Sequence, residues 1–166
     1  MSNGQAKQVE ELAKRLQVLE DERAILATLH AYGHSIDYGL KEKFADLFTE
    51  DGVYLVLMRG VPVPSLAGVP HSASGIKGRD LILQYVRGHS NAPAMWHKHF
   101  LVEPAIRRES DNEASVESYF ARLDEDDNGA YILAFGRYRD RVVRSPDGKW
   151  RFKERIVEVE NRPARR

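Results

Sequence analysis

The sequence contains no cysteine. This absence excludes disulfide bonds, thiolate nucleophiles and cysteine-ligated metal sites, and it suits a reducing compartment. The sequence also has no long apolar run: the longest, Val53–Met58, is far shorter than the roughly 20 residues that a membrane-spanning helix needs. Residues 1–8 lack the apolar core of a secretion signal. We therefore expect a cytoplasmic protein that does not associate with membranes.

An excess of charge of either sign is also missing, because 25 Lys and Arg residues balance 25 Asp and Glu residues. Nucleic-acid binding depends on an excess of cations, so nucleic acid is not an expected partner. The length of 166 residues and a hydrophobic content of 42% are typical of one folded domain. We expect a helical extension over residues 1–20, a single domain over residues 21–160, and a solvated basic tail over residues 161–166.

Two helices are predicted before residue 40. Apolar residues at steps of three and four indicate a short amphipathic helix that packs on the domain or on a neighbouring subunit: Val9, Leu12, Leu16 and Leu19. A second helix is expected from Asp21, a plausible N-cap, to Tyr38, with Gly39 as its stop. Shorter helices are predicted over Lys41–Phe48 and Arg79–Gly88.

The apolar pattern changes to a period of two after His97, which predicts strands. The expected strands are Val53–Arg59, His97–Arg107, Ala114–Leu123, Tyr131–Val143 and Trp150–Val159. Turn sequences at residues 126–129 and 145–148 connect the last three as hairpins. This order predicts an α+β fold in which helices cover one face of a curved antiparallel sheet. The Gly60–Gly78 segment is either a functional loop or lid, or a surface insertion.

Two places concentrate reactive side chains. Asp37 lies at the border of the apolar face of its helix, and a carboxylate drawn towards the core must find a partner. His97 and His99 share one face of the strand that starts there. If the helix packs on that face, Asp37 can orient an imidazole as a general base. His30, His34 and Asp37 also have ligand spacing for a divalent metal, but nothing else is typical of a metalloenzyme, so no metal is expected.

Several segments resemble the SnoaL-like, or nuclear-transport-factor-2-like, superfamily. They are Gln8–Leu16, Tyr32–Asp37, Phe44–Gly52, the strand with His99, and Trp150–Arg155. Members include scytalone dehydratase, bile-acid dehydratase and hexachlorocyclohexane dehydrochlorinase. The resemblance implies a cone-shaped α+β barrel that eliminates water or HCl with a His–Asp pair and no cofactor.

The resemblance also implies site residues. His99 would abstract the proton, and Asp37 would hold the ring of His99 in place. Tyr32 and Arg155 would assist the leaving group. A strand aspartate used by the bile-acid enzyme has no counterpart in Tyr119–Arg122, which puts bile acids as substrates in doubt. Further expected substrate-binding residues are His97, Tyr54, Phe100, Tyr119, Phe120, Tyr131 and Phe135.

These residues predict a cofactor-independent lyase acting on a small apolar, aromatic or polycyclic molecule. Dehydration, dehydrohalogenation and retro-aldol-type cleavage all need the same base and acid, so all three reactions stay open. An isomerase or cyclase of the same fold, a non-catalytic β-type subunit of a ring-hydroxylating dioxygenase and a small-molecule binding protein are the alternatives. Each site residue also has a structural alternative, such as a core histidine at His99 or a sheet salt bridge at Arg155. The resemblance implies a homo-oligomer, with a trimer favoured over a dimer.

Overall fold

The computed structural model describes residues 3–162, so residues 163–166 of the expected basic tail lie outside the described part. The described residues form three helices: α1 (Asn3–Asp37), α2 (Lys41–Asp46) and α3 (Arg79–Gly88). The long strands are β1 (Phe48–Met58), β6 (His97–Ser110), β7 (Glu113–Asp126), β8 (Gly129–Arg144) and β9 (Trp150–Val159). Four two-residue strands lie between β1 and α3: β2 (Val61–Pro62), β3 (Ser65–Leu66), β4 (Val69–Pro70) and β5 (Ile76–Lys77).

The long strands and the short β2 form one curved sheet in the order β2-β1-β9-β8-β7-β6. The β6–β7, β7–β8 and β8–β9 pairs are antiparallel, whereas β1 runs parallel to β9. The turns at residues 126–129 and 145–148 join β7 to β8 and β8 to β9, as expected. The predicted α+β class, with helices covering a curved sheet, is confirmed.

The apolar face of α1 packs inside the curve of the sheet. Ile25, Leu29, Tyr32 and Ile36 are each at most 3% exposed. They meet aromatic side chains from α2, β1 and β9, namely Phe44, Phe48 and Phe152, which are fully buried. Because these residues form one buried cluster between α1 and the sheet, the helix is fixed against the sheet, and its last turn is held beside β6.

Residue 21 is not a helix start, so the prediction of an N-cap there is wrong. The helix α1 is continuous through Asp21, which is buried. Arg108 donates to Asp21 over 2.7 Å, and Arg144 forms a second ion pair with it. These cations come from β6 and β8, so the carboxylate is satisfied in mid-helix by distant residues. A buried charge needs such partners, and no cap is required.

The first part of α1 does not pack on its own domain. Every residue from 4 to 20 is exposed, including the apolar Val9, Leu12, Leu16 and Leu19 at 54 to 62%. The prediction that this segment packs on the domain is therefore wrong, and packing on a neighbouring subunit stays a prediction. Within residues 3–162, no helix combines the length and the apolarity that crossing a membrane requires.

The Gly60–Gly78 segment is anchored to the sheet. Both ring nitrogens of His71 are engaged: Nε2 accepts from the Val56 amide at 3.0 Å, and Nδ1 lies 2.6 Å from the Val63 carbonyl oxygen. Val69 and Ile76 are buried. The segment is thus packed on the domain, with β3 and β4 paired as a small hairpin.

Gly33 lies where α1 closely approaches β6. A Cβ atom at this position would lie 2.9 Å from the carbonyl oxygen of His99, which is backbone and cannot turn aside. Glycine is normally unfavourable in a helix interior by about 0.5–1 kcal/mol relative to alanine. Its presence here lets the helix reach the strand that carries His99.

We therefore expect Gly33→Ala to destabilise the protein, although the same change stabilises an ordinary helix. Forcing the helix away from β6 should lower the free energy of unfolding by about 1–3 kcal/mol. Urea denaturation measures this difference. Gly4→Ala, at the exposed start of the same helix, is the control and should change stability little. A stabilised Gly33→Ala variant would contradict the tight contact.

Candidate active site

The end of α1 and the start of β6 bring Asp37 and His99 into contact. Nδ1 of His99 lies 2.6 Å from Oδ1 of Asp37, and the backbone amide of His99 donates to Oδ2 at 3.0 Å. The side chain of His99 is 9% exposed and that of Asp37 is 4% exposed. Both carboxylate oxygens are therefore fixed by one residue, which sets the position of the imidazole ring relative to the helix.

The charge state of Asp37 determines which ring nitrogen of His99 is free. Burial acts to raise the pKa of Asp37, but the hydrogen bonds and charge of His99 outweigh it and hold that pKa below its usual range. An ionised carboxylate only accepts hydrogen bonds, so Nδ1 of His99 must carry the proton. Nε2 then has a free lone pair and can accept a proton, and Asp37 stabilises the resulting imidazolium.

His97 is the second imidazole beside Asp37. Its Nε2 lies 3.4 Å from Oδ1 of Asp37, and the side chain is fully buried. Burial lowers the pKa of His97, and the charge of Arg122 lowers it further. His97 is thus held neutral at the base of the site, where it packs edge-on against the ring of His99 at 5.4 Å between centroids.

The same three residues form a possible metal-ligand set. One donor atom from each of Asp37, His97 and His99 lies within 4.8 Å of the others. His30 and His34, the other ligands considered from the sequence, are exposed on α1 and do not form part of this group. Nδ1 of His99 and Oδ1 of Asp37 already contact each other at 2.6 Å, so a metal bound through these two atoms would displace that contact.

An inner cavity of about 290 Å³ opens beside His99. Its wall combines apolar side chains with hydroxyl, imidazole and guanidinium groups: Tyr32, Tyr54, Val56, Leu66, Ala67, Tyr85, His89, His99, Phe120, Arg122, Leu133, Ala134, Tyr138, Val157 and Val159. Ligand sites have this character, an apolar wall with a few converging polar groups. Leu66 and Ala67 belong to the Gly60–Gly78 segment, which therefore contributes to the cavity wall.

Two tyrosines in the wall are hydrogen-bonded to each other. The hydroxyl groups of Tyr32 and Tyr54 lie 2.9 Å apart, and both side chains are buried. Burial raises the pKa of each well above its usual value. Both phenols therefore stay protonated near neutral pH.

Arg155 lies behind the cavity wall and not in it. Its guanidinium is fully buried, with its central carbon 3.9 Å from the ring centroids of both Tyr32 and Tyr138. Nε lies 3.5 Å from Oδ1 of Asp140, which is also buried. Burial raises the pKa of Asp140 to about 7, although the charge of Arg155 opposes this. Arg155 thus supports Tyr32 from behind, and Tyr32 separates it from the cavity.

Four of the expected substrate-binding aromatics do not line the inner cavity. Phe100, Tyr119 and Phe135 are about half exposed on the outer face of the sheet, and Tyr131 lies on β8 opposite Asp124. The expected place of Phe100, Tyr119 and Phe135 in the cavity is wrong, because strand alternation turns them away from the inward-facing His99 and Phe120. Tyr131 shares the face of its partner Asp124 but lies outside the cavity wall, and its role in substrate binding stays a prediction. Tyr54 and Phe120 do line the cavity.

A larger groove of about 450 Å³ lies between α1 and β6, and Tyr32, Asp37 and His99 also line it. Its rim includes the exposed side chains of His30, His34 and Phe100. The inner cavity is the better candidate site, because its wall contains both hydrogen-bonded phenols, Tyr32 and Tyr54, together with His99, whereas Tyr54 does not line the groove.

Four polar residues of the inner cavity were not singled out from the sequence: Tyr85, His89, Arg122 and Tyr138. Tyr85 and His89 lie on or just after α3, and Tyr85 stacks on Tyr54 at 5.2 Å between centroids. The strand register, with Arg122 directly opposite His99, is the signal that would have found Arg122. That register depends on a bulge after Val102 and is not readable from local sequence.

The curved sheet, closed by α1 over a His–Asp pair, is an NTF2-like architecture. A protein of this type with a cystatin-like fold from Novosphingobium aromaticivorans superposes with a TM-score of 0.76 at 25% identity, covering 92% of this chain and 90% of that one. Another protein of that organism, assigned as a scytalone dehydratase, superposes with a TM-score of 0.66 at 25% identity, covering 89% and 93%.

The family model of the SnoaL-like domain matches residues 17–156. The chain is also 30% identical over 132 residues to the small subunit of anthranilate 1,2-dioxygenase from Burkholderia cepacia. This alignment covers 75% of this chain and 77% of that subunit. The chain therefore belongs to the SnoaL-like family, and the resemblance noted in the sequence is confirmed.

Proposed function

We propose that the protein is a lyase in which His99 is the general base of an elimination from a small, largely apolar and aromatic molecule. The observation that carries the proposal is the 2.6 Å contact between His99 and the buried Asp37, beside a cavity rich in tyrosine. A base fixed by a carboxylate and facing a partly apolar cavity is suited to proton abstraction.

The reaction needs no group beyond these side chains. Nε2 of His99 takes a proton from carbon, and the electron pair of that C–H bond forms the new double bond. The leaving group departs with the electrons of its own bond and is protonated from the Tyr32–Tyr54 pair or from the imidazolium. Arg155, stacked under Tyr32, acts only by positioning that phenol.

The decisive test separates proton abstraction from product release. The protein is incubated in D₂O with a panel of aromatic β-hydroxy ketones and β-halo ketones, and products are followed by NMR and mass spectrometry. A lyase gives an unsaturated product together with water or halide. An isomerase or cyclase gives a product of unchanged mass apart from deuterium. Neither exchange nor product across the panel would count against both enzymatic proposals.

A second candidate is a non-catalytic β-type subunit, which the 30% identity to a dioxygenase small subunit favours. Such a subunit would do no chemistry alone, and substitutions at His99 would leave the activity of its assembly unchanged. A plain binding protein would retain a ligand through purification without exchanging its protons.

We also propose that the outer face of the sheet mediates self-association, as a trimer in preference to a dimer. Apolar side chains on this face are exposed, namely Phe100, Val102, Tyr119, Ile132 and Phe135. Clustered exposed aromatics are typical of protein interfaces. Light scattering of the purified protein decides between these states, and a monomer would contradict both.

A further inference from the structure

Arg122 is the direct cross-strand neighbour of His99. The two residues face each other in the β6–β7 register, and both line the inner cavity. Residues opposite each other in an antiparallel pair lie on the same face, with Cβ atoms about 4.5–5.5 Å apart. A ligand within reach of the imidazole is therefore within reach of the guanidinium.

The cavity contains one permanent cation and no carboxylate. Among the described residues that form its wall, none is acidic, and Arg122 is the only Lys or Arg. The imidazole of His89 does not add a charge, because burial, followed by the charge of Arg122, lowers its pKa to about 4. Arg122 is therefore the permanent charge of the described cavity wall, and it lies next to His99.

The guanidinium of Arg122 is fixed by hydrogen bonds within the protein but keeps N–H donors for a ligand. Nε and Nη2 of Arg122 donate to the two carboxylate oxygens of Asp124 at 2.7 and 2.8 Å, and Arg122 is 19% exposed. This bidentate pair fixes the plane of the group and occupies two of its five N–H donors. Three N–H donors, including both on Nη1, remain for a ligand.

We propose that Arg122 binds the carboxylate of the substrate, so that the enzyme acts on small unsaturated or aromatic acids. This rests on the proposed function, because it makes Arg122 the anchor that places an acidic C–H bond at His99. Apolar wall residues such as Val56, Phe120 and Val157 take the hydrocarbon part of the ligand. A guanidinium is the side chain best suited to a planar carboxylate.

The test compares ligands that differ only in charge. Isothermal titration calorimetry near neutral pH measures binding of benzoate, cinnamate and 1-naphthoate, each beside its primary amide. In the wild-type protein we expect at least one carboxylate to bind about tenfold tighter than its amide or better, the strength of a charged hydrogen bond. The preference should disappear in Arg122→Gln and persist in part in Arg122→Lys.

Two further variants keep the result interpretable. Arg122→Gln/Asp124→Asn removes both members of the ion pair, so that no unpaired carboxylate repels the ligand. This double variant should also bind each acid and its amide with equal affinity. Arg139→Gln removes a cation from an exposed ion pair with Glu158 and should keep the preference. Circular dichroism confirms that each variant is folded.

The outcomes also separate this proposal from the lyase itself. A carboxylate preference that survives in His99→Ala but is lost in Arg122→Gln supports the anion site, even if no elimination is detected. Elimination from neutral ketones with no carboxylate preference would support the lyase and overturn the anion site. Absence of binding by all three carboxylates, or a preference that Arg122→Gln leaves intact, would equally overturn it.

Discussion

Replacing His99 by alanine is expected to reduce turnover by about two to four orders of magnitude, the usual contribution of a positioned general base. The variant removes the only imidazole that both contacts Asp37 within hydrogen-bond distance and lines the inner cavity, among residues 3–162. Because the loss is chemical, kcat should fall much more than KM rises. Steady-state kinetics on a substrate found in the elimination screen measures both.

Asp37→Asn should reduce turnover by a similar factor, although the imidazole of His99 is still present. An asparagine amide can donate to Nδ1, which favours the tautomer with the proton on Nε2 and blocks that nitrogen as an acceptor. His30→Ala, on the exposed face of α1, is the control and should retain full activity. Normal turnover in His99→Ala would remove His99 from the mechanism. A loss in His30→Ala would instead place the substrate in the outer groove.

Much of the fold was predictable because local patterns determine it. The helix Arg79–Gly88 and the strand Trp150–Val159 have the predicted bounds, and both hairpin turns lie where their Asp, Asn and Gly residues indicated. In these segments the apolar period and the turn chemistry point to the same structure. The predicted proximity of Asp37 to His99 is also present, although its catalytic role stays a prediction.

The errors arose where distant residues decide the outcome. Asp21 looked like a helix start, but Arg108 and Arg144 hold it in mid-helix. Phe100, Tyr119 and Phe135 were expected in a pocket because ring surface suggests one, yet the alternation of their strands turns them outward. Which face of a strand points inward depends on register and on bulges, such as the one after Val102.

Arg155→Met is expected to be the most destabilising of the substitutions considered. It would leave the buried Asp140 without its only cation at 4.0 Å or less among residues 3–162, and it would remove the guanidinium stacked between Tyr32 and Tyr138. Breaking a buried ion pair from one side typically costs about 3–5 kcal/mol. Chemical denaturation should show a loss of this size in the free energy of unfolding.

The double variant Arg155→Met/Asp140→Leu tests the cause of that loss. Replacing both partners of a buried pair by apolar residues is often nearly neutral, so most of the lost stability should return. Arg137→Met, which breaks an exposed pair with Glu160, should change stability by about 1 kcal/mol or less. If the double variant is as unstable as Arg155→Met, the stacking on Tyr32 and Tyr138 is the dominant contribution. If it is stable but has a reduced kcat, Arg155 matters chiefly by positioning Tyr32, the phenol proposed to protonate the leaving group.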